Sequence, residues 1–137
     1  MAVMARFVDL VAVEGPEKGM RYTVEEGTYR VLARAADERS STLQMTPEGD
    51  RALDIEQERL VGTTRAHMKK RGPDIALRDG SVSRTHALVF VDKASVSVVD
   101  LMSTNGTKVN GAIVRDVDVK NGDVIHIGKT KLKVEPG

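Results

Sequence analysis

Three stretches in the second half of the chain gather the residue types that grip an anion. Ser83-Arg84-Thr85-His86 is the first. Asp100-Leu101-Met102-Ser103-Thr104-Asn105-Gly106-Thr107-Lys108-Val109-Asn110-Gly111 is the second, and Asn121-Gly122-Asp123-Val124-Ile125-His126-Ile127-Gly128 the third. Hydroxyls, amides and a guanidinium collect there at the expected ends of strands, and on a β-sandwich such loops crowd one rim. Together with backbone N–H groups they can surround an anionic ligand without a deep pocket. Taken singly, each residue has an ordinary explanation in turn chemistry, because Asn-Gly and Ser/Thr are common turn formers. Their density and order point to binding instead.

Other chemistries fail on spacing. Ser83, His86 and Asp100 are the members of a catalytic triad, but there is no Gly-x-Ser-x-Gly elbow, and Ser83 and His86 stand three apart at a strand entry. The run 122–130 nearly spells a phosphate loop. Its first glycine is one residue too far from Gly128-Lys129-Thr130, and a Val/Ile strand occupies the part that has to be flexible. His67, His86 and His126 are scattered and unsupported by acidic clusters, so no metal site is expected. Asn105-Gly106-Thr107 is formally a glycosylation sequon and is read as a turn. The expectation is a non-enzymatic protein with no catalytic residue, no metal and no cofactor.

These loops need a β framework to hold them. Nineteen of the 137 residues are Val, most of them in short alternating runs bounded by Gly, Asn or Asp. The runs 7–13, 20–24, 28–32, 75–77, 86–91, 95–101, 107–109, 124–127 and 131–134 predict strands. Asn-Gly pairs at Asn105, Asn110 and Asn121 mark turns, since both residue types tolerate positive φ. The fold class is therefore all-β, a sandwich or barrel, and the length suits a single domain over 1–137.

Composition narrows the partners. With 21 Lys+Arg against 20 Asp+Glu, the net charge of +1 gives no field to attract nucleic acid or an acidic membrane. Two Phe, two Tyr and no Trp leave few rings for stacking bases. The absence of Cys excludes disulfides, Cys-ligated zinc, iron–sulfur clusters and a thiol nucleophile, and fits a cytoplasmic location. The apolar start carries Arg6 and Asp9 and meets Glu14 well short of the ~20 residues of a membrane span. It has no signal-peptide layout and is read as the first strand.

The three loop segments resemble the forkhead-associated (FHA) domain, a phosphothreonine-binding β-sandwich of two sheets. The family patterns Ser-Arg-x-His, Asp-Leu-x-Ser-Thr-Asn-Gly-Thr-x-Val-Asn-Gly and Gly-Asp-x-Ile-x-Ile-Gly are all met. The stretches 14–19 and 26–34 resemble the family's opening. The resemblance implies that Arg34 and Ser83 hold the phosphate with Arg84 beside them, and that Asn105 grips the peptide backbone. It further implies that Thr104 lies next to the phosphothreonine, while His86 and Asn110 brace the loops from behind. The physics suits these roles. A phosphate carries about −1.5 to −2 charge and three strong acceptors, and Arg offers a planar fork for two of its oxygens. The chain departs from the family at Ala33-Arg34-Ala35, where a turn glycine before the arginine and a hydroxyl after it are missing. An alternative alignment uses Leu60-Val61-Gly62-Thr63-Thr64-Arg65 and gives the phosphate role to Arg65.

The segment 36–72 breaks the β rhythm and reads as an insertion, helical or disordered. Thr46-Pro47-Glu48 looks like an N-cap with Pro at the first helical position. Leu53, Leu60, Val61 and Met68 would line one helix face, and Gly62-Thr63-Thr64 would weaken or end it. The basic end, Lys69-Lys70-Arg71, either adds positive potential at the rim or is a solvated loop end. Thr42, Thr46, Thr63 and Thr64 are candidates for phosphorylation, and a phosphorylated segment bound by the same domain would give self-association. The functional expectation is a reader of Ser/Thr protein kinase output that binds a phosphothreonine-containing protein. The alternative is a phosphate-independent scaffold using the insertion as its interface.

Overall fold

The computed structural model describes residues 6–36, 45–93 and 95–137; Thr42 lies outside them. Two sheets face each other, as the sequence predicts. Strands β1 (Phe7–Glu14) and β2 (Arg21–Glu25) open the first sheet. It is completed by β8 (Thr107–Val109), β9 (Ala112–Val114), β11 (Val124–Ile127) and β12 (Thr130–Pro136), in the order β2-β1-β12-β11-β8-β9. The second sheet has β3 (Thr28–Arg34), β4 (Lys70–Arg71), β6 (Thr85–Val91), β7 (Val96–Asp100) and β10 (Asp116–Val119), in the order β10-β7-β6-β3-β4. Strand β5 (Ile75–Leu77) pairs the far stretch of β3. All pairings are antiparallel except β3 with β4 and β3 with β5.

Alternating strands bury alternate residues. In β1, Val8, Leu10 and Ala12 point into the space between the sheets, where they meet Leu32, Val89, Val98, Ile125, Ile127 and Leu132. Strand β6 differs, because all seven of its residues are buried. Ala87, Val89 and Val91 face the inter-sheet core, whereas Leu88 and Phe90 face outward into a second cluster with Val31, Ala33, Val99, Leu101, Val61 and Ala66. An unbroken apolar run marks a strand covered on both sides. Here the cover is the insertion.

Residues 45–72 supply that cover through helix α1 (Ile55–Gly62) and a 3-10 turn (Arg65–Met68). The helix ends at Gly62, where the sequence places a break, but it begins elsewhere. Thr46-Pro47 belongs to a turn in which the Gly49 amide donates to the Thr46 carbonyl and the Asp50 amide to the Thr46 hydroxyl. The helix is opened by Asp54, whose carboxylate accepts from the Gln57 amide while the Gln57 side chain accepts from the Asp54 amide. Such reciprocal capping satisfies two of the orphan donors of a first turn, which a lone Thr-Pro pair does not. Leu53, Leu60 and Val61 pack on the outer cluster, whereas Met68 is 76% exposed, so it does not share their face.

The basic end of the insertion does not reach the rim. Strand β4 pairs Thr28 and Tyr29, at the opposite end of β3 from Arg34, and Lys69 forms an ion pair with Asp92 just beyond the far end of β6. Arg65 is held there as well, on Asp92 and Asp118 at 3.0 and 3.1 Å and over the Phe90 ring at 5.4 Å. Thr64 is buried, donating to the Val61 carbonyl and accepting from the Ala66 amide. Strands β9 and β10 and the short β4 have no counterpart among the predicted runs. No helix among the described residues is long and apolar enough to cross a membrane.

Candidate functional site

Arg34 ends β3 immediately after a register shift between Leu32 and Ala33 against β6. A bulge of this kind re-aims the side chain that follows it. The Arg34 amide is shared between the carbonyls of Ser83 and Arg84, at 3.2 and 3.3 Å, so the arginine is tied to the loop that precedes β6. One of its terminal nitrogens lies 3.5 Å from the Val82 carbonyl.

Ser83 is held by two bonds of opposite sense. Its amide donates to His86 Nδ1 at 3.0 Å, and its Oγ accepts from the Thr104 amide at 3.0 Å. The hydroxyl proton is thus left to be given to something in the basin. Arg84 is exposed, and among the described residues its guanidinium makes no hydrogen bond or ion pair.

The Thr104-Asn105 loop is built from Asp100. Its carboxylate accepts from the Ser103 amide, the Ser103 hydroxyl at 2.6 Å and the Thr107 hydroxyl at 2.7 Å. Met102 takes a positive φ of 59° in the turn that results. Asn105 lies on the rim and donates from Nδ2 to the Ser81 carbonyl at 3.1 Å. Asn110 stands back from it, at φ 51° in the two-residue Asn-Gly turn between β8 and β9. Its side chain donates to Asp123 and accepts from the Val124 amide, both at 2.9 Å. The bonds from Asn110 and from the Lys120 amide hold the Asp123 carboxyl below its usual range.

His86 is fully buried and joins the two loops. Because Nδ1 accepts from the Ser83 amide, the ring proton belongs on Nε2, which points at the Gly106 carbonyl at 2.8 Å. Burial holds this imidazole below the usual 6.5. The unfolded chain therefore takes up the proton first on acidification, and stability present above 6.5 is lost as pH falls through the folded value. The thermal midpoint is expected to drop as the pH falls below about 6.5, and His86→Asn to flatten that part of the curve. An unchanged slope in the variant would assign the loss to other groups.

One buried carboxylate that the sequence reading passes over, Asp79, ties this loop to the opposite sheet. Burial raises its pKa, but the Ser81 amide, the Thr130 hydroxyl and the Lys129 amide outweigh that and hold it below the usual value. Gly128 packs against it, and a Cβ there would lie 3.0 Å from the Asp79 carboxylate.

Arg34, Ser83, Arg84 and Thr104 line one basin of about 520 Å³. Its other wall comes from the insertion, through Arg51, Leu53, Asp54 and Gln57. Sequence reasoning missed this wall; the signal for it was the Asp54-x-x-Gln57 pair. Gln57 is buried and donates from Nε2 to the Thr85 hydroxyl at 2.7 Å and the Leu101 carbonyl at 2.9 Å, so it bolts the helix to both rim loops. Against the single Asp54 carboxylate, which caps the helix, the guanidiniums of Arg34, Arg51 and Arg84 leave the lining of the basin net positive. Asn105 lines a second, smaller basin of about 240 Å³ with Ser81, Lys108, His126 and Lys129. Among the described residues neither lysine there makes an ion pair, and no group of His, Asp and Glu is arranged to hold a metal.

The FHA domain model matches residues 63–128, from the end of α1 to the β11–β12 turn. The glycogen accumulation regulator GarA of Mycobacterium tuberculosis is 44% identical over 59 residues, covering 43% of this chain and 36% of GarA. The oxoglutarate dehydrogenase inhibitor of Corynebacterium jeikeium is 36% identical over 93 residues, 63% of this chain and 65% of the inhibitor. The aligned stretch is thus about a third of GarA. An FHA domain solved in work on phosphothreonine-dependent interactions superposes with a TM-score of 0.59 at 23% identity, covering 96% of each chain. At 96% of the chain, its coverage extends well beyond the 63–128 match. Sequence over the rim loops and fold over the whole length agree: residues 63–128 match the FHA domain family, and the chain has the fold of solved FHA domains.

Proposed function

We propose that the chain is a phosphothreonine-dependent binding module, acting without catalysis in the cytoplasm as one unit over 1–137, downstream of a Ser/Thr protein kinase. One observation carries the reading: Arg34, Arg84 and the Ser83 hydroxyl converge on one basin at the rim, supplied by the end of β3 and the loop before β6. A dianionic phosphate gains charge-assisted bonds from all three, whereas an unmodified threonine gains none. Thr104 borders the phosphothreonine, and Asn105, between the two basins, takes the peptide backbone. His86 and Asn110 support the loops from behind. The flank of the peptide that reaches the second basin meets Lys108, Lys129 and His126, which favours an acidic side chain there.

The phosphate-independent alternative needs the insertion as an outward interface. Its apolar face is spent on Val31, Leu88, Phe90 and Val99 inside the protein. The test is retention of a degenerate phosphothreonine peptide pool on the immobilised chain, against phosphoserine and threonine pools. Selective retention of the phosphothreonine pool, enriched in acidic residues, is expected. Equal or absent retention of all three would sink the reading.

A further inference from the structure

The insertion wall contains a cation placed where a cation is costly. Arg51 is 4% exposed and lines the basin, and a buried guanidinium persists only when its surroundings bind it well. It donates from Nε to the Arg34 carbonyl at 3.2 Å and from a terminal nitrogen to the Ala35 carbonyl at 3.4 Å. These carbonyls lie at the point where β3 stops and Arg34 projects. Ala33 and Ala35 flank that arginine, and neither has a side-chain donor with which to fix the backbone there.

Arg51 is itself clamped. Its amide donates to Asp74 at 2.7 Å, and its carbonyl accepts from Arg71 at 2.6 Å. Arg71 also pairs with Asp74 at 2.9 Å, and the Asp74 amide donates to Asp50 at 2.9 Å. Three charged residues, Asp50, Arg71 and Asp74, thus fix the Arg51 backbone so that its guanidinium lies against the carbonyls of Arg34 and Ala35. Such a cluster is expensive to assemble and does not rank as a stabilising device. Its geometry is explained by what it holds.

Resting on the phosphothreonine reading above, we propose that Arg51 is a positioning residue of that site. It fixes the backbone from which Arg34 reaches the phosphate and places a further positive charge, itself buried, in the basin wall. The insertion is then a working part of the site, standing in for the hydrogen-bonding side chain absent beside Arg34.

The experiment compares wild-type, Arg51→Met and Arg51→Lys chains for retention of the degenerate phosphothreonine pool over the threonine pool, with a thermal melt of each. Arg51→Met is expected to lose about tenfold or more of the phosphate-dependent retention while still folded at the assay temperature. Arg51→Lys, which keeps the charge and can make one of the two carbonyl bonds, is expected to fall between it and wild type. A folded Arg51→Met chain that retains the pool within twofold of wild type overturns the inference and leaves the phosphothreonine reading standing. Should Arg51→Met not fold, Arg51→Lys decides: a threefold or greater loss supports the role, and a smaller one removes it. A wild-type chain indifferent to phosphorylation overturns both.

Discussion

Arg34→Ala is expected to abolish phosphothreonine binding. The side chain ends β3 in a backbone tied to the Ser83 and Arg84 carbonyls, so its fork is pre-aimed at the basin and little is lost in ordering it. Truncating one partner of a hydrogen-bonded charge pair costs ~2–5 kcal/mol, about 30-fold or more in affinity. Titration calorimetry with a peptide selected from the phosphothreonine pool would measure the loss. Arg65→Ala serves as the control, because Arg65 lies with Asp92 and Asp118 and does not line the basin. If Arg65→Ala removed binding and Arg34→Ala did not, the alignment that gives Arg65 the phosphate role would be right.

Gln57→Ala should produce the largest loss of stability among polar substitutions at the rim, about 3 kcal/mol. Its amide bonds to Thr85 and Leu101 would go, leaving buried acceptors unpaired at ~1–3 kcal/mol. The half of the reciprocal cap made by its side-chain oxygen, which accepts from the Asp54 amide, would go too, at up to ~1 kcal/mol, while the bond from the residue-57 amide to Asp54 stays. For a chain of this length the melting midpoint should fall by about 10 °C, read by circular dichroism. Gln57→Glu separates the two contributions, since it keeps the oxygen that accepts from Asp54 but loses the amide donor. A shift below about 3 °C in Gln57→Ala would mean that the amide is not engaged in solution.

Much of the framework was legible in the sequence because it depends on short periods. Strands β5, β8 and β11 lie where the alternation and the flanking turn residues put them, residue for residue. Strand β10 escaped because Asp116 and Asp118 break up its apolar residues, although Val117 and Val119 keep the two-residue spacing of a strand. The rim residues could be gathered because most of them sit in dense loops of polar and turn-forming residues. Arg51 and Gln57 could not be found in that way. Their partners are long-range, with Arg51 reaching Arg34, 17 residues earlier, and Gln57 reaching Thr85 and Leu101. Such contacts carry no local period. The helix that delivers Gln57 has eight residues, too few for its apolar face to declare its start. A Thr-Pro pair upstream offered a more conspicuous cap than the Asp54-x-x-Gln57 box that the chain uses.

Strand β6 has a consequence for solubility. Its sequence, Thr85 to Val91, is a seven-residue β-prone run without Pro or formal charge apart from His86, the composition of a segment that stacks with copies of itself when uncovered. Inside the sheet it is paired by β3 and β7, and its outward side chains Leu88 and Phe90 are shielded by α1 and the 3-10 turn. The helix therefore acts as a gatekeeper against aggregation as well as a wall of the basin. Its bolt to Thr85 lies at the end of the strand nearest the proposed phosphate site, so a phosphopeptide bound there is expected to hold the helix over the strand as well.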